Sequence, residues 1–385
     1  MSYLDKLLEG VVVEWKTLGE VAEIGTGSHD TKDAVENGDY IFYARGVVPL
    51  SLNTYDFDET AIITAGDGVG VGKVFHWAVG KYALHQRAYR IVPNEKKIYP
   101  RYVYHYILAN FYSYIEKISV SSSVTSMRKP MFLKFQIPIP PLEIQQKIVA
   151  ILDTFSELTA ELTAELTAEL TARKKQYEYY REQLLSFEEG DVEWKTLGEV
   201  IIKSYSGSTP QAGNPKFYEN GTIPWLRTQE VKFTDIEETE IKITDFAVKN
   251  TATKWIPANC VIIAISGATA GRSAINKIPL TTNQHCLCLE INPQKALYKY
   301  VFHWVSFNYE NLKNLGQGAR GDLNSSMIKN FKIPIPSPEE QAQIVSILDQ
   351  FDTLTNSISE GLPKEIALRK QQYEYYRNLL LTFNG

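Results

Sequence analysis

The feature that most constrains the fold of this chain is a tandem duplication of three segments. VEWKTLGEV occurs at residues 13–21 and again at residues 192–200, an offset of 179 positions. Two longer pairs share an offset of 196 positions: FQIPIPPLEIQQKIVAILDTF (135–155) with FKIPIPSPEEQAQIVSILDQF (331–351), and RKKQYEYYREQLLSF (173–187) with RKQQYEYYRNLLLTF (369–383). The chain therefore consists of two related halves, and the variable part of the second half is longer by 17 residues.

Each half predicts a variable globular domain followed by a long helical block. Apolar residues recur at intervals of three and four in each block, as in an amphipathic helix. The IPIPP and IPIPS runs mark the helix starts, because proline is tolerated in a first turn and rejected in a helix interior. Upstream, β-branched runs such as AIITAG and CVIIAIS predict strand-rich domains. The predicted segments are a globular domain at 1–141, a helical block at 142–187, a second globular domain at 188–337 and a second helical block at 338–385.

A tetrapeptide repeat, TAEL, occupies the middle of the first helical block. A period of four residues advances each leucine about 40° beyond a full helical turn, so the apolar stripe winds slowly around the helix. The stripe is Leu158, Leu162, Leu166 and Leu170, and the aligned positions of the second block are Leu354, Ile358, Leu362 and Ile366.

Two apolar stripes of matched length predict that the two helices pack as an antiparallel coiled coil. A solvent-exposed charged helix with no intramolecular partner is the alternative. Gly361 and Pro363 predict a local kink in the second helix. The expected fold class is α+β, with two strand-rich globular domains separated by two long helices and an internal pseudo-two-fold symmetry.

Length and composition exclude several classes of protein. A chain of 385 residues is long enough for two domains that each bury a core. Cys260, Cys286 and Cys288 are odd in number and lack the spacing of a disulfide framework or a zinc site, which fits a reducing cytoplasm. The first residues lack a basic n-region, and no uninterrupted apolar stretch reaches about 18 residues. We therefore expect a cytoplasmic protein that is neither secreted nor membrane-spanning.

Charge is distributed unevenly along the chain. The net charge is −5, and the helical blocks carry the acidic excess, with 10 acidic and 5 basic residues at 142–190 and 7 acidic and 4 basic residues at 338–385. The globular domains are neutral to mildly basic. They can present surfaces to a nucleic acid, although a strong binder usually has a clear basic excess, so we expect help from a basic partner.

Sequence motifs for catalysis and metal binding are absent. GDGVGVGKV (66–74) is not a phosphate-binding loop, because Asp67 replaces the first glycine of that motif and Val74 its serine or threonine. It predicts a glycine-rich turn at the end of a strand. The chain has no HExxH, no GxSxG and no methyltransferase-like Asn/Asp-Pro-Pro-aromatic run, and its six histidines lack metal-ligand spacing. His105 and His303 lie in similar aromatic segments that predict core-packing helices.

The repeated EWKTLGEV, the IPIPP and IPIPS openings, the QYEYYR helix ends and the TAEL repeats together resemble the specificity subunit of type I restriction-modification enzymes. The resemblance covers the whole chain, and the TAEL repeats resemble one subfamily in particular. It implies that each globular domain is a target recognition domain that reads one half of a bipartite DNA site. It also implies that two modification subunits dock on the helices and that restriction subunits join through them.

The resemblance assigns the chemistry to those partners. It implies that this chain is not an enzyme and binds no cofactor or metal, while S-adenosylmethionine, ATP and Mg act on the partner subunits. The YEYY motifs near the helix ends offer the candidate partner-binding residues Tyr177, Tyr180, Tyr373 and Tyr376.

Candidate DNA-reading residues lie in glycine-rich loops of both globular domains. Arginine pairs with guanine and glutamine or asparagine with adenine, while hydroxyl groups reach phosphates. In the first domain the candidates are Arg45, Lys73, His76, His85, Gln86, Arg87, Arg128 and Lys129. In the second they are Ser208, Thr209, Arg227, Thr228, Gln229, Arg272, Asn283, Gln284, His285 and Arg320. A non-catalytic coiled-coil adaptor that binds proteins rather than DNA is the alternative function.

Overall fold

The computed structural model describes residues 3–68, 70–118, 126–188, 190–316, 321–357 and 360–383. The chain divides into two compact units, one formed by Met1–Leu166 with Glu365–Gly385 and the other by Thr167–Lys364. Each unit therefore combines one globular domain with parts of the long helices. The division at residues 141, 187 and 337 stays a prediction.

The first unit contains a six-stranded sheet and a long helix that covers it. Its elements are α1 (Tyr3–Leu7), β1 (Glu14–Thr17), α2 (Leu18–Val21), β2 (Ala22–Thr26), β3 (Tyr40–Tyr43), β4 (Leu50–Leu52), β5 (Phe57–Ala65), β6 (Phe75–Leu84), β7 (Ala88–Pro93), α3 (Pro100–Ile118), α4 (Lys129–Leu133), β8 (Gln136–Ile139) and the first part of α5 (Leu142–Leu184). The strand order is β2-β7-β5-β6-β3-β4. β5 and β6 form its longest antiparallel pair, and β3 lies parallel to β6.

The second unit repeats this plan on two smaller sheets. Its elements are β9 (Glu193–Thr196), α6 (Leu197–Val200), β10 (Ile201–Tyr205), α7 (Pro215–Tyr218), β11 (Ile223–Leu226), β12 (Asp235–Ile236), β13 (Ile241–Ile243), α8 (Asp245–Asn250), β14 (Val261–Ala264), β15 (Ser273–Asn276), β16 (Thr281–Thr282), β17 (Cys286–Ile291), α9 (Tyr298–Phe307), α10 (Tyr309–Lys313), α11 (Ser325–Asn330), β18 (Lys332–Ile335), α12 (Pro338–Asn356) and α13 (Gly361–Leu381), which continues into the first unit. The strand orders are β10-β17-β14-β15-β12 and β13-β11-β16.

The duplicated sequences form the same local structure in both units. Each EWKT segment is a strand that pairs antiparallel with the strand of the IPIP segment, β1 with β8 and β9 with β18. A short helix follows each, and its N-terminal threonine and third residue close a capping box: Thr17 with Glu20 and Thr196 with Glu199. The repeats therefore form the junctions at which each globular domain meets its long helix.

His105 and His303 are buried at these junctions, as the sequence predicted. The Nε2 atom of each imidazole lies 2.8 Å from an aspartate of a long helix, His105 from Asp153 and His303 from Asp349. A cationic side chain also binds each aspartate: Arg101 in the first unit and Lys299 in the second. These polar pairs join the domain helices α3 and α9 to α5 and α12.

The helices of the first unit pack through the tyrosines of the second YEYY motif. The rings of Phe155 on α5 and Tyr376 on α13 stack with centroids 5.6 Å apart. The hydroxyl groups of Ser156 and Tyr373 form a 2.9 Å hydrogen bond. Tyr373 is therefore committed to the interior of this helix pair.

In the second unit, α5 packs against α12 through the first YEYY motif. The rings of Tyr177 and Tyr180 stack on Phe351 with centroids 5.9 and 5.6 Å apart. In the first unit, Phe155 and the next residue Ser156 on α5 contact Tyr376 and the earlier residue Tyr373 on α13, as in an antiparallel pair. Tyr179 and Tyr375 expose more of their side chains than the four predicted tyrosines.

The second helical block is interrupted, where the sequence predicted a kink. α12 ends at Asn356 and α13 begins at Gly361, which has a φ of +73°. A Cβ atom at Gly361 would lie 2.4 Å from the carbonyl oxygen of Thr353, so only glycine fits this turn. The predicted stripe position Ile358 lies outside the described residues.

The leucine stripe is only partly buried. Leu166 is 8% exposed, whereas Leu158 is 55% exposed. Two repeats separate these leucines, so the drift of about 40° per repeat turns Leu158 about 80° away from the buried face. Leu158 therefore lies outside the packed part of the predicted winding stripe, because a period of four residues exceeds the helical repeat. Over the described residues, every helix is too short or too polar to cross a bilayer.

Candidate nucleic-acid interface

The same three-residue turn lies in both globular domains, and we call it the capped turn. It comprises His85, Gln86 and Arg87 between β6 and β7, and Asn283, Gln284 and His285 between β16 and β17. In each, the first side chain is buried and accepts a hydrogen bond from the backbone N–H of the third residue. The bond from Arg87 to His85 Nδ1 is 2.9 Å, and that from His285 to Asn283 Oδ1 is 3.1 Å.

His85 and Asn283 therefore hold the turn and do not present their side chains to a ligand. Burial lowers the pKa of the His85 imidazole, and the positive charge of Arg45 lowers it further, which keeps the acceptor Nδ1 unprotonated. The predicted contact of these two residues with bases is not supported by their positions, because both are buried. The exposed residues of the capped turns are the second and third in each.

A glycine brings a second loop against each capped turn. A Cβ atom at Gly27 would lie 1.8 Å from the carbonyl oxygen of Leu84, and one at Gly207 would lie 1.8 Å from that of Thr282. No side chain fits at either place, so the backbones pack directly.

The exposed glutamine of each capped turn bonds to the loop that follows this glycine. Gln86 donates to Asp30 at 3.1 Å, and Thr209 donates to Gln284 at 2.7 Å. Ser208 is turned inward, where its hydroxyl lies 3.0 Å from that of Thr253.

Two further loops complete this edge of each domain. Gly66 donates its backbone N–H to Arg87 at 2.8 Å, and Ile265 donates to His285 at 2.9 Å. Gly66 and Ile265 in turn accept from Met127 at 2.7 Å and from Leu323 at 2.8 Å. The segments that carry the predicted residues thus meet around the capped turn in both domains.

In the first domain, Asp67 organises two of the predicted arginines. Its carboxylate accepts hydrogen bonds from Arg45 at 2.8 Å and from Arg87 at 3.1 Å. Partial burial opposes ionisation of Asp67, but the hydrogen bonds and charge of Arg45 and Arg87 outweigh it, so the pKa of this carboxyl is lowered. The two guanidinium groups are held side by side at the surface, with one charge in excess over the carboxylate.

The other predicted residues of the first domain surround this pair. His76 Nε2 lies 3.0 Å from the carbonyl oxygen of Gly46, the residue after Arg45. Lys73 is exposed, and its ammonium lies 5.1 Å from the centroid of the Tyr112 ring. Arg128 and Lys129 are exposed at the start of α4, directly after the Met127 that bonds to Gly66.

In the second domain, Arg227 is committed to acidic neighbours. Its guanidinium pairs with Glu240, and its Nε lies 3.8 Å from Glu230. The amide oxygen of Gln229 faces the same guanidinium and accepts hydrogen bonds from it. Thr228 is half-buried in the short helical turn that follows Arg227. Arg227 would have to leave these partners to contact a base.

Arg272 differs from Arg227, because its side chain has no hydrogen-bond or ion-pair partner among the described residues. It follows Gly271, whose φ is +86°, as Lys73 follows Gly72, whose φ is +67°. Gln284 and His285 are exposed, with Gln284 Nε2 3.1 Å from His285 Nε2. Arg320 lies outside the described residues.

Sequence reasoning missed Asp67 as the organiser of the first edge. It interpreted the GDGVGVGKV segment as a glycine-rich turn and took only Lys73 from it, although an isolated acid between two arginine-bearing loops was a usable signal. It placed partner contacts on Tyr177, Tyr180, Tyr373 and Tyr376, which are less exposed than Tyr179 and Tyr375, and that assignment stays a prediction. Among the described residues, no group of three or more acidic, histidine or cysteine side chains is placed to hold a metal ion.

Comparison with known proteins identifies the family. The family model described as type I restriction modification DNA specificity domain matches residues 12–172 and 189–368. The chain is 38% identical to the type I restriction enzyme EcoR124I/EcoR124II specificity subunit of Escherichia coli, over 100% of this chain and 97% of that protein. It is 34% identical to a putative type I restriction enzyme specificity subunit of Haemophilus influenzae, over 100% of this chain and 99% of that protein.

Solved structures agree on the fold. The S subunit of a type I restriction-modification system from M. genitalium aligns with a TM-score of 0.55 at 16% identity over 100% of both chains. A chain from a structure of the type I R-M system aligns with a TM-score of 0.66 at 15% identity, over 96% of this chain and 97% of that chain. These likenesses confirm the predicted α+β class of two domains joined by helices. The chain therefore belongs to the type I restriction-modification DNA specificity family, and its function is to supply DNA sequence specificity.

Proposed function

We propose that the two globular domains are target recognition domains that read the two halves of one bipartite, asymmetric DNA site. The observation that carries this proposal is the capped turn, which has the same backbone-to-side-chain bond in both domains. It exposes a glutamine in each, followed by Arg87 in the first domain and His285 in the second. A duplicated frame suits the near two-fold geometry of a DNA duplex. Different side chains on that frame would read different bases.

The exposed groups define a chemistry for each half-site. In the first domain, Arg45 and Arg87 offer two guanidinium groups, the side chains that pair with guanine O6 and N7. In the second domain, Gln284 offers an amide, the group that pairs with adenine, and Arg272 an uncommitted guanidinium. Lys73, Arg128 and Lys129 are exposed cations suited to phosphates in the first domain.

We further propose that the chain is a non-catalytic subunit that works in the cytoplasm with two modification subunits and, through them, restriction subunits. The Escherichia coli relative is named as a subunit of a type I restriction enzyme, which supports an assembly of this kind. S-adenosylmethionine, ATP and Mg would bind to the partners. Tyr179 and Tyr375, the most exposed tyrosines of the two YEYY motifs, are better candidates for partner contacts than Tyr177 and Tyr373.

The TAEL repeats are proposed to set the length of the nonspecific spacer between the half-sites, as in the subfamily that they resemble. The support is that α5 runs unbroken over 43 residues and includes all three repeats. Each repeat adds about 6 Å of helix. A DNA duplex rises about 3.4 Å per base pair, so one repeat corresponds to between one and two base pairs.

The experiment that tests this function is reconstitution followed by methylome sequencing. The purified chain alone should methylate and cleave nothing, and cells that carry the chain with its modification subunits should methylate one two-part sequence. A mixture that lacks this chain should lose that specificity. Turnover by the isolated chain, or methylation at sites without two defined halves, would refute the proposal. Assembly with the partners that leaves DNA binding and sequence selection unchanged would favour the protein-binding adaptor.

A further inference from the structure

The first domain carries two strongly exposed apolar side chains beside its arginine pair. Val47 is 75% exposed and Val48 is 79% exposed, in a loop that joins β3 to β4. We call residues 46–49 the valine loop. Arg45, whose guanidinium is bound to Asp67, directly precedes it.

The first residue of the valine loop, Gly46, is anchored by a side chain of β6. His76 Nε2 lies 3.0 Å from the carbonyl oxygen of Gly46, and the His76 ring packs on Tyr43 with centroids 5.1 Å apart. Asp67 fixes the neighbouring Arg45. The two valines are therefore presented on an anchored loop, so little conformational entropy opposes their contact with a ligand.

The charge around the loop identifies the class of ligand. Arg45 and Arg87 share the single carboxylate of Asp67, which leaves a net positive charge at the base of an apolar tip. A polyanion with apolar groups on its surface fits this combination. The DNA major groove presents such groups, because thymine carries a 5-methyl on its groove edge.

We propose that Val47 and Val48 read thymine in the first half-site by contact with its 5-methyl group. This inference rests on the proposed function, in which the first domain reads that half-site. The second domain lacks an equivalent apolar tip among the described residues. There the chain after β11 is Arg227, Thr228, Gln229 and Glu230, and the valine that follows, Val231, is fully buried.

Replacement of thymine by deoxyuridine isolates the methyl group. The experiment uses the chain assembled with its modification subunits and measures competition binding to a duplex whose half-sites are known from the methylome. Substitution of every thymine in the first half-site should weaken binding by the wild-type complex about fourfold for each methyl group that the valines bury. The same substitution in the second half-site is the control for general effects of uracil.

A double variant links the effect to the valine loop. Val47→Ser with Val48→Ser should bind the thymine and uracil duplexes equally, at the level of wild type on uracil. Val79→Ser is the matched control, because Val79 is 69% exposed on β6 of the same domain and faces the side of the strand opposite to His76, which holds the loop. It should keep the wild-type preference for thymine.

Three results would overturn the proposal: a first half-site without an A·T pair, equal binding of both duplexes by wild type, or a double variant that still prefers thymine. A double variant that binds more weakly while wild type ignores the methyl group would point instead to insertion between base pairs or to a protein contact. In each case a complex that still selects its two-part site leaves the proposed function intact. Loss of all sequence selection by the wild-type complex would refute the function itself.

Discussion

The two recognition domains share a backbone frame and differ in what they expose on it. In the first, Asp67 binds two arginines beside the valine loop. In the second, the residue at the matching place is Ser266, and the exposed groups are Thr209, Gln284 and His285. The difference teaches that buried residues of the turns fix geometry, while their exposed neighbours are free to define chemistry.

The strongest test of this comparison is exchange of residues 20–130 for the corresponding block of a relative. We expect the first half-site to change completely and the second to stay the same. Specific sites are typically bound about 10³-fold or more above other DNA, so the switch should dominate a methylome. Altered recognition of both halves would show that the domains do not read independently.

Deletion of one TAEL repeat tests whether reading is separate from spacing. Removal of residues 163–166 should leave both half-sites unchanged and shorten the preferred spacer by one to two base pairs, because the helix loses about 6 Å and a duplex rises about 3.4 Å per base pair. Methylation of DNA libraries with fixed half-sites and varied spacers measures this preference. Leu158→Ala, which changes an exposed leucine without changing helix length, is the control. A folded deletion variant that still prefers the original spacer would show that the TAEL repeats do not set spacer length.

Arg272→Ala should weaken binding to the second half-site by about 1–3 kcal/mol, because its guanidinium is uncommitted among the described residues. Arg227→Ala should have a smaller effect on binding, since Glu240 and Glu230 already engage that side chain. Competition binding by the assembled complex, with each half-site varied in turn, separates these outcomes. If both variants and Arg320→Ala bind the site as tightly as the wild-type complex does, these arginines do not read bases in the second half-site.

Asp67→Asn should lower discrimination in the first half-site about tenfold, because Arg45 and Arg87 lose the carboxylate that orients them. Loss of the negative charge should at the same time raise nonspecific affinity. Ser266→Ala, at the matching place in the second domain, should change neither quantity by much. Unaltered discrimination by Asp67→Asn would make the carboxylate a surface charge without a role in reading.

The ionised carboxylate of Asp67 makes the stability of the first unit depend on pH in the acid range. Because the pKa of Asp67 is lowered in the folded chain, its contribution to stability is complete above the ordinary pKa of about 3.9 and is lost as pH falls through the lowered value. Asp67→Asn should therefore reduce the acid sensitivity of the first unit, measured as proteolysis against pH.

The architecture was predictable because both copies of each duplicated segment predict the same local structure. The EWKTLGEV and IPIP repeats predicted matched junctions, and the structure pairs them as strands in both units. Gly361 predicted the site of a kink. It did not predict that one helix, α12, ends before this site and that a separate helix, α13, begins at it. The exposure of Leu158 follows from the winding of the stripe, because a drift of about 40° per repeat turns this leucine away from the buried Leu166.

The candidate site was predictable only as a set of loops. The segments that the sequence named at residues 85–87 and 283–285 occupy matching turns, and their contact with DNA stays a prediction. The sequence could not separate His85, which is buried, from Gln86 and Arg87, which are exposed, because that choice depends on contacts with a distant loop. For the same reason the link from Asp67 to Arg45 required the fold.

The buried caps His85 and Asn283 have a consequence for evolution. Each accepts its hydrogen bond from a backbone N–H, which any residue except proline can donate. Positions 86, 87, 284 and 285 can therefore change one at a time without loss of the turn that displays them. New recognition sequences become reachable by single substitutions, through intermediates that all remain folded.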